Sequence, residues 1–82
     1  SAFTPNNDGL NDTWNIPALN AFPGFMLSVY NRYGQLVYQN KDVNIPWDGK
    51  FKGQVQASGV YVYYLDLKVA GGKRKGTLTL IR

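Results

Sequence analysis

The chain has no cysteine, no histidine and no glutamate. The first absence removes disulfide frameworks, thiolate metal sites and cysteine nucleophiles. The other two remove the commonest general base and the commonest metal ligand together, so catalysis is not expected. Charge is sparse as well: charged residues make up 17% of the chain, with nine Lys and Arg against five acidic residues, all Asp. That formal excess of +4 permits an acidic partner without demanding one. No apolar run approaches the roughly 20 residues that span a bilayer. No basic segment followed by an apolar one opens the chain in the manner of an export signal.

What is present is a globular composition, 44% apolar and 15% aromatic over 82 residues. This suits one domain with a single core. An abrupt start at Ser1-Ala2 that runs directly into structured-looking sequence is expected of a domain excised from a longer protein.

The first dozen residues organise the reading. Phe3-Thr4-Pro5-Asn6-Asn7-Asp8-Gly9-Leu10-Asn11-Asp12 is dominated by residues that bond to nearby backbone, tolerate left-handed dihedrals or fix φ. No helix or strand is expected there. Phe3 and Trp14 bracket the stretch, so it is expected to pack onto a core. Thr13 to Ile16 then alternates as a short strand with Trp14 and Ile16 on its buried face, closed by Pro17. A connection follows from Ala18 to Gly24.

Phe25 to Asn31 reads as a strand with Phe25, Leu27 and Val29 on one face. Asn31-Arg32-Tyr33-Gly34 has the chemistry of a tight hairpin leading into Gln35–Gln39. Trp47-Asp48-Gly49, with Phe51 beyond it, predicts a short strand or bulge, and turns follow at Lys52-Gly53 and Ala57-Ser58-Gly59. Val60 to Val69 is the longest apolar segment and reads as the central strand, buried on both sides early and on one side late. After a turn at Ala70–Lys73, Lys75 to Arg82 forms the last strand.

Frequent turns between short strands, with no helical period, predict an all-β, immunoglobulin-like antiparallel β-sandwich of about seven short strands. Gly59-Val60-Tyr61 sharpens this, because such sandwiches place a corner tyrosine at the start of a strand with its hydroxyl bonded back to nearby backbone.

Four stretches now stand together: Phe3–Asp12, Val29-Tyr30-Asn31-Arg32-Tyr33-Gly34, Trp47-Asp48-Gly49-Lys50 and Gly59-Val60-Tyr61-Val62-Tyr63. Their order and spacing resemble the gliding-motility-associated C-terminal domain, the type B sorting domain of proteins exported by the type IX secretion system of Bacteroidota. Thr79-Leu80-Ile81-Arg82 is similar to that family's terminus, and Asn7 stands where the family more often has glycine. The resemblance implies a single C-terminal sorting domain, residues 1–82, of a secreted or cell-surface protein. It implies passage through the periplasm and outer membrane, and partners in the type IX translocon and the PorP/SprF-like outer-membrane proteins. It implies no nucleic acid, membrane contact only through partners, and a monomer.

Several residues invite chemistry. Thr4, Asn6, Asp8, Gly9, Leu10 and Asp12 follow the spacing of a calcium loop, with Leu10 offering its carbonyl. Thr4 replaces the usual first carboxylate and Asn15 the last-position glutamate, so the alternative is a set of Asx-turns that pin the loop, with no cofactor required. Lys73-Arg74-Lys75 gathers charge at a hairpin, and with Arg32 and Arg82 forms a candidate partner-binding surface; the plainer reading is a solvated turn that protects a sheet edge. Trp14, Trp47, Tyr30, Tyr33 and Tyr38 would suit a carbohydrate-binding or adhesive module if exposed in a row, and core filling otherwise. A barrel for single-stranded nucleic acid would need aromatics interleaved with basic residues, and here the basic cluster lies away from the aromatic strand starts. Asp48 and Asp66 suggest paired carboxylates, without any sign of a cleft between them.

Overall fold

The computed structural model describes residues 2–5, 12–14, 16, 24–42, 45–68 and 72–82. Seven strands run in order: β1 (Ala2–Phe3), β2 (Met26–Tyr30), β3 (Leu36–Asn40), β4 (Lys50–Phe51), β5 (Gln54–Val55), β6 (Gly59–Asp66) and β7 (Lys73–Leu80). No helix occurs among the described residues. A five-stranded sheet has the order β1-β7-β6-β2-β3, and β4-β5 form a separate two-stranded sheet. The domain is an all-β sandwich with two very unequal layers, and β6 is central, as its apolar run predicts.

Side-chain alternation builds the core on one face of the large sheet. Leu27 and Val29 of β2, Tyr61 and Leu65 of β6, and Leu78 and Leu80 of β7 are all buried there. Against them lie Trp47, Phe3 and Trp14, with Phe51 packed at the margin. Trp47 is the hub: its ring meets Phe3 at 5.5 Å, Tyr61 at 5.2 Å and Tyr38 at 6.1 Å between centroids. Its indole N–H donates to the Lys50 carbonyl at 2.9 Å, so the one polar atom of the ring is satisfied inside the core. Trp14 packs on Tyr63 at 5.4 Å, and the Tyr63 ring in turn lies over Gly76, where any Cβ would collide with it. Each such buried aromatic or aliphatic side chain stabilises the fold by about 1.5–3 kcal/mol.

The turns form for the reasons their sequences give. Asn31 Oδ1 accepts from the backbone N–H groups of both Tyr33 and Gln35 at 2.9 Å, and Gly34 supplies the left-handed φ of 79° that closes the β2–β3 hairpin. Tyr61 donates its hydroxyl to the Ala57 carbonyl at 2.6 Å, which is the corner bond foreseen from its place after Gly59.

Other expectations are corrected. The opening stretch does hold a strand: β1 pairs in parallel with β7, Ala2 opposite Thr79 and Phe3 opposite Leu80, because burying Phe3 brings its backbone beside that edge. One pair of the sheet is therefore not antiparallel. The strand foreseen at Thr13–Ile16 reduces to a bridge between Trp14 and Trp47, each donating its N–H to the other's carbonyl; Asn15 and Pro17 lie outside the described residues. A bulge falls in the β2–β3 pairing, opposite Val29 and Tyr30. It lets Val37 join the core although Tyr38 beside it also packs there. The β6–β7 hairpin closes earlier than foreseen, with Asp66 opposite Lys73, so Lys73 and Arg74 join Lys75 inside the strand. The first half of β6 is buried on one side only: Val60 is 56% exposed and Tyr64 47%, since the small sheet packs on the other side.

Candidate functional site

Directly opposed residues in an antiparallel ladder share a face. The register therefore fixes what the outer face of the large sheet presents. Tyr64 stands between Ser28 and Lys75, Val62 between Tyr30 and Thr77, and Asp66 between Met26 and Lys73. Tyr30 and Tyr64 meet edge-on at 5.5 Å between centroids, and the Lys75 ammonium sits 5.5 Å over the Tyr64 ring. A shallow groove of about 490 Å³ runs between Tyr30, Arg32, Val62, Tyr64 and Lys75. A second, of about 340 Å³, lies on the other side of Tyr64 beside Met26, Ser28, Asp66 and Lys73. Ser28, buried at the floor, accepts from the Gln39 amide at 3.0 Å.

The electrostatics of this face are one-sided. Among the described residues of the face Asp66 is the one acid, and it is engaged: it accepts the backbone N–H of Lys68 at 2.9 Å and lies 3.7 Å from the Lys68 ammonium. That backbone hydrogen bond, more than the nearby charges of Lys68 and Lys73, holds its carboxyl below the ordinary range against a smaller opposing effect of desolvation. Arg32 stacks on Tyr33 at 5.0 Å and donates to its hydroxyl at 2.8 Å, so its planar guanidinium is held at the hairpin end of the groove.

The candidate partner residues thus separate. Arg32, Lys73 and Lys75 border the grooves that flank Tyr64. Arg74, opposite Leu65 and donating to the Lys73 carbonyl at 2.9 Å, lines the groove beside Lys73 as well. Arg82 lies elsewhere: Nε donates to the Gln56 carbonyl at 2.5 Å, Nη2 to that of Gly49 at 2.7 Å, and its backbone N–H to Ser58 Oγ at 2.9 Å. Its guanidinium staples the turns beside β4 and β5 to the end of β7. Gly49 is held close beneath it, with φ 82° and a notional Cβ 2.9 Å from Nη2.

Of the calcium-loop set only Thr4 and Asp12 fall among the described residues; Asn6, Asp8, Gly9 and Leu10 lie outside them. Among the described residues no three metal-ligating side chains of the carboxylate, imidazole or thiolate kind converge. Asp48 and Asp66 each accept the backbone N–H two residues on, so both serve as turn clasps. Trp14 and Trp47 are buried, and among the described residues the aromatics left exposed are Tyr33, at 71%, and Tyr64. The alternation in the sequence places Val60, Val62, Tyr64, Asp66 and Lys68 on one side of the strand, but the expectation that the early part of that side is buried hides Val60 and Tyr64 as surface residues.

A solved structure of PorZ, an essential bacterial surface component of the type IX secretion system of human oral-microbiomic Porphyromonas gingivalis, contains a similar fold. The superposition has a TM-score of 0.60 at 26% identity, covering 72% of this chain and 8% of that one. No curated protein sequence matches. Residues 1–80 match the family model of the CHU_C type IX secretion signal domain. With all but the last two residues spanned by that match, the chain belongs to the CHU_C type IX secretion signal domain family.

Proposed function

We propose that this domain is a non-catalytic sorting domain that directs the protein carrying it through the type IX secretion system to the cell surface or the medium. The family match over residues 1–80 is the observation that carries this reading. The domain is read while folded, because the cations on its surface are brought together by strand pairing and are scattered in the sequence between positions 32 and 75. Its readers are components of the translocon and outer-membrane proteins of the PorP/SprF-like kind. A glycan-binding sandwich, the competing reading, needs a row of exposed aromatics, and both tryptophans are spent on the core.

Fusing residues 1–82 to a periplasm-targeted fluorescent reporter in a type IX-competent host tests the proposal. Export that disappears in a translocon-deficient strain is the expected result. A reporter retained in the periplasm of the competent host would end the sorting reading.

A further inference from the structure

The outer face of the large sheet departs from the usual pattern, in which an antiparallel sheet is apolar inward and polar outward. Val60, Val62, Tyr30, Tyr64 and Met26 alternate outward here, two of them about half exposed, and the core has no use for them. Patches of this kind on a small domain mark contact sites. Four cations border its grooves, Arg32, Lys73, Arg74 and Lys75, while the one acid among the described residues of the face is already paired with Lys68.

We infer that this face is a docking groove for an acidic, extended segment of a partner protein, which lays an apolar side chain against Tyr30 and Tyr64 and its carboxylates against Lys73, Lys75 and Arg32. The inference rests on the sorting reading and specifies where and by what chemistry the domain is read. The geometry favours a strand-like occupant. The two grooves flank one tyrosine on a pleated surface, so alternate side chains of an extended segment fall on alternate sides of it. Arg32 is suited to a carboxylate because its fork stays planar and oriented on Tyr33, whereas the two lysines act as point charges. An anionic membrane is the weaker occupant: the four cations line two grooves on either side of one tyrosine, a relief that seats alternate side chains of an extended segment and not a flat layer of headgroups.

The test pairs binding with export. A short synthetic peptide rich in glutamate and aspartate with one central leucine is titrated into the domain, and backbone amide shifts are followed by NMR. Shifts should concentrate on β2, β6 and β7, and the double variant Lys73→Glu, Lys75→Glu should bind at least roughly tenfold more weakly. Tyr64→Ser, which leaves every charge in place, should also weaken binding, and the melting temperature of each variant confirms that it is folded. Shifts on another surface, unchanged affinity in both variants, or equal binding of phosphatidylserine vesicles would overturn the inference.

In the secretion assay the same double variant should hold the reporter in the periplasm, while Lys50→Glu with Lys52→Glu, equal in charge but at the small sheet and outside both grooves, should export normally. Normal export of the groove variant sinks the docking face and leaves the sorting reading intact. A wild-type fusion that is not exported sinks the sorting reading, and the peptide titration still decides the groove.

Discussion

Leu65 and Tyr64 are neighbours in β6, yet one is 7% exposed and the other 47%. The same division runs across the whole sheet. On the inner face the side chains interdigitate with Trp47, Phe3 and Trp14, and their stabilisation comes from excluded water and close packing. On the outer face residues of similar size and apolarity contact one another only at their edges, as Tyr30 and Tyr64 do. Apolarity alone thus fails to separate fold from function in this domain. What separates them is whether a second layer meets the residue, and the second layer is small. The two-residue strands β4 and β5, with the Trp14–Trp47 bridge, cover one side only.

The largest expected effect lies at the hub of the covered face. Trp47→Ala removes ring contacts to Phe3, Tyr38 and Tyr61 and leaves the Lys50 carbonyl without its donor. A loss of about 3–5 kcal/mol is expected in urea unfolding. For a domain this small that approaches the whole folding free energy. A loss below about 1 kcal/mol would mean that the inner face is not the core.

Much of this organisation was legible in the sequence, and the misses share a cause. The alternation in Phe25–Asn31, that in Val60–Val69 as far as Asp66, the Asn31–Gly34 hairpin and the corner bond of Tyr61 follow from local pattern and turn chemistry, and all appear in the structure. Strand β1 was missed because nothing in Ala2-Phe3 encodes it: its partner Thr79-Leu80 is remote in the chain, and only the burial of Phe3 brings the two together. The Thr13–Ile16 strand was foreseen from a period-2 pattern that pairs at one residue only. For the site, charge alone picks out Lys73 and Lys75, but a two-residue error in the start of the last strand hides that they border the grooves beside Tyr64. Arg82 was grouped with them by charge alone, whereas the fold spends its donors on the carbonyls of Gly49 and Gln56. Charge is visible in a sequence; which charges share a surface depends on register.

A middle-sized effect is expected where the covered side meets solvent. Tyr61 and Tyr38 reach from the core to backbone carbonyls, Ala57 at 2.6 Å and Ile45 at 2.5 Å. Tyr61→Phe should cost about 1 kcal/mol, the net worth of one hydrogen bond. Burial pushes both phenols up, against the opposing charges of Arg82 and Arg32 in the case of Tyr61; for Tyr38, with Asp42 and Asp48 adding to the burial effect, the value reaches about 12. A phenol whose pKa is higher folded than unfolded contributes stability that is complete below the unfolded value. For Tyr38 that contribution is lost as pH rises from 10.0 through about 12. Urea midpoints should therefore fall across that window in the wild type, and fall less steeply in Tyr38→Phe. An identical slope in the variant would show that Tyr38 is solvated.

The smallest effect is the sharpest test of the comparison. Val60 is 56% exposed and sits opposite Thr79 on the outer face. Val60→Thr keeps the β-branch, and with it the strand preference, while exchanging a methyl for a hydroxyl that water can reach. On an uncovered face the exchange should change the unfolding free energy by no more than about 0.5 kcal/mol. The same chemistry at the buried Val29, where no water reaches the hydroxyl, should cost about 1–3 kcal/mol. A matched pair of urea curves separates the two substitutions without reference to any partner. If Val60→Thr proved as costly as Val29→Thr, something in solution would be covering the outer face, and the groove beside it would be filled before any partner arrived. A flat response at Val60 leaves the valine, and the tyrosine beyond it, without a structural reason to be apolar, which is the condition a docking face must meet.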